Sequence, residues 1–125
     1  MTDEKENQVK VPQIILIYEK TEHKGLQGSY CWGEICVDYT HPSKRLDFKE
    51  KIQIQKNSII TFKINHPTKP DQLHLTIFSQ DQLVSHEAIE KHLRIQLSKG
   101  TYFLSFKASW NILGDASNVF LIEVT

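Results

Sequence analysis

Apolar and polar residues alternate along most of this chain. Lys51-Ile52-Gln53-Ile54-Gln55 alternates cleanly, and residues 58–65 place Ile60, Phe62 and Ile64 on one face, the period-two signature of a half-buried strand. Residues 72–79 set Leu73, Leu75 and Ile77 against His74 and Thr76, and residues 92–97 put Leu93, Ile95 and Leu97 on one side. In residues 101–110, Tyr102, Leu104, Phe106, Ala108 and Trp110 share a face opposite Ser105, Lys107 and Ser109, while residues 118–125 are rich in β-branched and aromatic side chains. Gly, Asp and Asn within 111–117 mark the reversal of a hairpin between these last two. Further breaks fall at 41–43, 56–57, 65–71 and 98–100. Residues 85–91 read as a helical turn too short to build a layer. Phe103 and Phe120 stand opposite the better apolar faces of their strands, placed to meet across the hairpin, cover a sheet edge or mark a contact surface. About eight or nine short strands with turns at regular spacing predict an all-β fold, an antiparallel β-sandwich with Greek-key connections; the alternative is a small Greek-key β-barrel.

Length adds that this is one domain. A chain of 125 residues buries roughly 65% of the surface its unfolded form exposes, so one apolar core suffices without a metal. Residues 1–11 carry three acids and two lysines with almost nothing to bury and read as a flexible N-terminal tail, leaving 12–125 as a single β-sandwich domain. The 15 basic and 15 acidic side chains balance, which argues against nucleic acid or an anionic membrane as the main partner, because both are won with surplus Lys and Arg. The longest apolar run, Ile14 to Tyr18, falls far short of a membrane-spanning helix. The acidic, polar start does not read as a signal peptide.

Most informative is residues 28–39, Gly-Ser-Tyr-Cys-Trp-Gly-Glu-Ile-Cys-Val-Asp-Tyr. With Gly33-Glu34 as the centre of a type II′ turn, Trp32 faces Ile35, Cys31 faces Cys36 and Tyr30 faces Val37. Cys31 and Cys36 then form a non-hydrogen-bonded pair, where side chains stand closest, and that spacing suits a disulfide. The same register puts Tyr30, Trp32, Ile35 and Val37 on the apolar side and Ser29, Cys31, Cys36 and Asp38 on the other. A metal site would need four ligands in tighter spacing, and a redox pair prefers Cys-x-x-Cys at a helix start. Two free thiols in a reducing compartment are the remaining alternative; a bridge implies an oxidising compartment and an exported protein.

Chemistry beyond the cysteines is sparse in the sequence. The six histidines, at 23, 41, 66, 74, 86 and 92, have no spacing that makes a metal face, and His74 reads as a solvated or hydrogen-bonded imidazole. No nucleophile elbow and no glycine-rich phosphate loop occurs. Asp47 and Glu50 sit among Lys44, Arg45, Lys49 and Lys51, a solvated mixed-charge approach to a strand. Trp32 and Trp110 read as core residues, with a ligand platform as the alternative. No enzyme activity, cofactor or metal is expected.

Gly28-Ser29-Tyr30-Cys31-Trp32, Cys36-Val37-Asp38-Tyr39 and Pro42, with Gly100-Thr101-Tyr102, Ala108-Ser109-Trp110, Gly114-Asp115 and residues 120–124 near the end, resemble the signature of small exported proteins and lipoproteins of Gram-positive bacteria such as bacilli. Gly100-Thr101-Tyr102 also resembles the tyrosine corner of immunoglobulin-like sandwiches, where the hydroxyl ties back to an upstream backbone group. The resemblance implies an immunoglobulin-like module outside the cytoplasmic membrane with Cys31 and Cys36 bridged; it implies no activity. The expected function is an extracytoplasmic binding module of the cell envelope, at the cell surface or membrane-anchored, taking an unknown protein or cell-envelope ligand, with loops 65–71 and 111–117 as candidate surfaces. The alternatives are a small-ligand carrier or sensor with a pocket between the sheets, and an inhibitor of an extracellular enzyme.

Overall fold

The computed structural model describes residues 10–48 and 50–125; the expected tail therefore lies, as far as residue 9, outside the described residues. Among the described residues, twelve strands follow in chain order: β1 (Ile14–Tyr18), β2 (Thr21–Lys24), β3 (Leu26–Gln27), β4 (Tyr30–Trp32), β5 (Ile35–Val37), β6 (Ile52–Ile54), β7 (Ile59–Ile64), β8 (Gln72–Ser79), β9 (Gln82–Ala88), β10 (His92–Arg94), β11 (Gly100–Trp110) and β12 (Gly114–Val124). They form two sheets. The smaller has the order β10-β7-β1-β2; the larger runs β5-β4-β12-β11-β8-β9, with β3 and β6 completing the far side of β12. The protein is an all-β sandwich of two sheets. Its pairs are antiparallel except β6 with β12, which run parallel in the register Ile52↔Ile122 to Ile54↔Val124.

Alternation decides what the sandwich encloses. Ile14 and Leu16 of β1 and Ile60 and Phe62 of β7 meet Leu75, Ile77, Leu104, Phe106, Phe120 and Ile122 of the large sheet in one buried cluster. Phe62 and Phe106 touch across the interior, ring centroids 5.2 Å apart. A buried polar joint accompanies this packing: Asn118, fully buried, accepts the Ile14 N–H at 2.7 Å and donates to the Gln13 side chain at 2.9 Å. It ties the long strand of one sheet to the first strand of the other while leaving neither polar end of the amide unpaired. Tyr102 donates from its hydroxyl to the Ser98 carbonyl at 2.9 Å, the tie expected of a tyrosine corner.

Several local expectations change. Residues 85–91 do not turn helically; β9 occupies Gln82–Ala88, because pairing with β8 (His74↔Ala88 to Ser79↔Gln82) satisfies its backbone along one side. The helical turn lies instead at Pro42–Lys44, a short 3-10 turn with proline at its start and the His41 side chain accepting the Ser43 N–H. The last hairpin is tighter than the 111–117 reversal, since β12 begins at Gly114. Phe103 and Phe120 do not meet. Leu104 lies opposite Phe120 and Phe103 opposite Leu121, so Phe120 points inward onto Phe106 at 5.6 Å and Phe103 points outward.

Candidate functional site

The cysteine hairpin forms in the expected register, Tyr30↔Val37, Cys31↔Cys36 and Trp32↔Ile35. Gly33 takes φ of +63°, the sign that the first central position of a type II′ turn requires. Cys31 and Cys36 are joined by a disulfide across Cα atoms 4.0 Å apart. The hairpin docks on the start of β12 by Trp32↔Gly114 and Cys31↔Asp115, an approach open only to glycine at 114, where an added Cβ would meet the Cys31 carbonyl and φ is +129°. Tyr30 and Trp32 pack on the core as expected. Ile35 does not: β5 lies past the end of the core, and Ile35 is 46% exposed.

From this hairpin the chain leaves as a strap over the outer face of the large sheet. Tyr39 N–H donates to Ser29 Oγ at 2.9 Å. His41 then stacks edge-on against Phe78 of β8, centroids 4.4 Å apart, and after the short turn Arg45 returns to donate to the Gln27 carbonyl of β3 at 2.9 Å. The strap thus reaches over β12 and β11 to β8 and back, and Phe48 beyond it covers Phe103 at 5.8 Å. Val119 and Phe103, on the outer face, are buried for this reason. Arg45 is not the solvated cation expected. Its side chain is 9% exposed, lies 4.8 Å over the Tyr39 ring, and holds Asp47 with two hydrogen bonds of 3.1 and 3.0 Å. Those bonds draw the Asp47 carboxyl below its usual range.

Beside the strap the outer face stays open as a cleft of roughly 400 Å³. Ser29, Cys31, Asp38, Tyr39 and His41 form one wall, and Thr76, His86, Ser105, Lys107, Asp115 and Ser117 supply floor and far side. Several walls are braced. Ser117 Oγ donates to the Ser29 carbonyl at 2.6 Å, Asp115 Oδ1 accepts the Cys31 N–H at 3.3 Å, and His86 Nδ1 pairs with Thr76 Oγ1 at 2.6 Å. His74 and His86 stack in parallel, centroids 5.4 Å apart and planes 4° apart. His41 Nε2 is buried and, among the described residues, has no partner. A second groove, of roughly 500 Å³, runs beside β12 between β3 and β6, lined by Lys24, Leu26, Phe48, Glu50 and Leu121.

The two loops expected as surfaces come together at another place, one end of the sandwich. Trp32, His66 and Trp110 interlock with centroids 5.1 to 5.3 Å apart, Trp110 Nε1 donates to the Thr68 carbonyl at 2.8 Å, and Asp71 accepts the Asn111 N–H at 2.7 Å. Loop 65–71 is therefore a cap over core tryptophans, and only the tip beside it, with Ile112 94% exposed, offers apolar surface. Residues 114–117 belong to β12 and contribute Asp115 and Ser117 to the cleft instead. The sequence pattern marked Lys107 and Ser105 as one outward face; the strap that passes over the large sheet beside them is visible only in three dimensions. Among the described residues, no group of three or more His, Cys, Asp or Glu side chains could hold a metal ion, and no helix is long and apolar enough to cross a membrane.

The sequence matches no family model and no curated protein. Among solved structures, the chain is similar to a lytic polysaccharide monooxygenase of Jonesia denitrificans, with 14% identity, a TM-score of 0.43 and coverage of 61% of this chain and 58% of that one. It is also similar to a Bacillus amyloliquefaciens CBM33 solved in complex with Cu(I), with 14% identity, a TM-score of 0.47 and coverage of 70% and 63%. The chain spans about three fifths of the length of these two structures, and the likeness concerns the arrangement of strands alone.

Proposed function

We propose that the protein is a non-catalytic binding module working in an oxidising compartment, at or outside the cell envelope, and that its ligand enters the cleft beside the strap on the large sheet. The cleft carries this reading: polar side chains from strands distant in sequence converge there on one rigid floor, which is how binding sites differ from ordinary sheet surface. The disulfide supports the compartment, since such bridges persist where thiols are not kept reduced, and the resemblance of the cysteine hairpin to exported Gram-positive proteins points the same way. Several histidines are engaged in packing or capping, as His41 is on Ser43 and His66 is between two tryptophans, which favours binding over proton transfer. A fragment screen read by amide chemical shifts tests the reading. Shifts clustering on Ser105, Lys107, Ser117 and residues 38–42 are expected; shifts confined to Ile35, Ile112 and Leu113 would move the site to the tip. That tip supports the second reading, a protein-contacting loop such as an inhibitor uses, because Ile35, Ile112 and Leu113 are all exposed there.

A further inference from the structure

The cleft floor is unusual in what its side chains can donate. In the sheet register, Thr76 stands between His86 on β9 and Ser105 on β11, and Lys107 stands between His74 on β8 and Ser117 on β12. These are two adjacent rows on one face, each three strands wide, with a hydrogen-bonding side chain at every position and no carboxylate among them; the Ser117 hydroxyl proton is spent on the Ser29 carbonyl. His86 spends Nδ1 on Thr76, which leaves Nε2 for a ligand, and the stack on His74 fixes the ring plane. Lys107 makes no ion pair among the described residues. The nearest acid on the floor, Asp115, is diagonal to Lys107, paired instead with Ser109, and engages the Cys31 N–H; Asp38 lies on the opposite wall.

We propose that this patch is an oxyanion site, taking a carboxylate or phosphoryl group of the cleft's ligand over Lys107, with Ser105 and His86 Nε2 completing the hydrogen bonds while Thr76 gives its hydroxyl proton to His86 Nδ1. The proposal rests on the cleft being the binding surface and adds the chemical class of what it binds. An ammonium flanked by fixed hydroxyl and imidazole groups gives charge-assisted hydrogen bonds without needing an arginine fork, and the rigid sheet keeps the donors placed before the anion arrives.

The test uses the full chain with its disulfide intact, titrated with inorganic phosphate, with acetate and with chloride at constant ionic strength, read by side-chain shifts of His74 and His86 and the amide of Lys107. Saturable shifts with phosphate or acetate, absent with chloride, are expected, and the stronger of the two names the group. Lys107→Gln should weaken binding by about tenfold or more, Lys107→Arg should retain it, and Lys99→Gln, on the turn before β11, should leave it unchanged. Equal shifts with chloride, or unchanged affinity in Lys107→Gln, overturn the proposal. If neutral fragments bind in the cleft while neither anion does, the cleft stands as the binding surface and the oxyanion assignment falls; if nothing binds there, both fall.

Discussion

The two faces of the β11–β12 hairpin are built from the same strands and do opposite things. Inward, Leu104, Phe106, Ala108 and Trp110 meet Phe120 and Ile122 in the buried core. Outward, Ser105, Lys107, Ser117 and Asp115 floor an open cleft, and the apolar part lying under the strap, Phe103 and Val119, is buried. The comparison shows that burial on the inner face comes from a second sheet, whereas on the outer face it comes from one loop. A loop can shelter part of a sheet and leave the rest to a ligand. Stability should therefore reside on one face and recognition on the other.

That division can be broken by mutation, beginning with the largest effect. Phe106→Ala should cost about 3–5 kcal/mol in urea unfolding, because it removes a fully buried ring that touches both Phe62 and Phe120 and leaves a cavity. Asn118→Ala should cost about 1–3 kcal/mol by stranding the Ile14 N–H between the sheets; a neutral outcome would mean the joint is not needed to hold them. Replacing Cys31 and Cys36 together by serine should cost about 2 kcal/mol, since the closed loop is short, and should leave a folded protein whose circular dichroism is unchanged. Acid should act through Asp47. Its carboxyl lies below the ordinary 3.8 because of the hydrogen bonds from Arg45, so its contribution is complete above that value and is lost as pH falls through the lower folded value. The difference in urea midpoint between the native chain and Asp47→Asn should accordingly be small, present at pH 6, and shrink below about 3.8. Smallest of all, Lys107→Gln should change stability by no more than about 0.5 kcal/mol. A loss there approaching that of Phe106→Ala would erase the distinction between the faces.

The fold was legible because alternation is a local property. β8 runs from Gln72 to Ser79 as read, and β7 and β11 differ from expectation only at their ends. The cysteine register was legible for the same reason: a glycine at the turn and two residues on either side specify their own pairing. β9 escaped, because at a sheet edge its side chains are mostly exposed and the apolar alternation that announces a half-buried strand fades. Phe120 escaped through a phase error of one residue, which in a strand exchanges inside for outside. Arg45 escaped because charge among charges reads as solvated, and nothing local says that Tyr39 and Gln27 will enclose it.

The sequence by itself determined most of the strands, the all-β class and the register that faces Cys31 with Cys36, since period-two patterning, turn residues and a two-residue hairpin act over a few neighbouring positions. Only the tertiary structure decided that residues 38–45 strap the outer face, that Asn118 joins the sheets, and that Thr76, His86, Ser105 and Lys107 lie together. Those contacts join segments tens of residues apart, and their energies depend on which surfaces the folded chain leaves uncovered rather than on any residue's immediate neighbours.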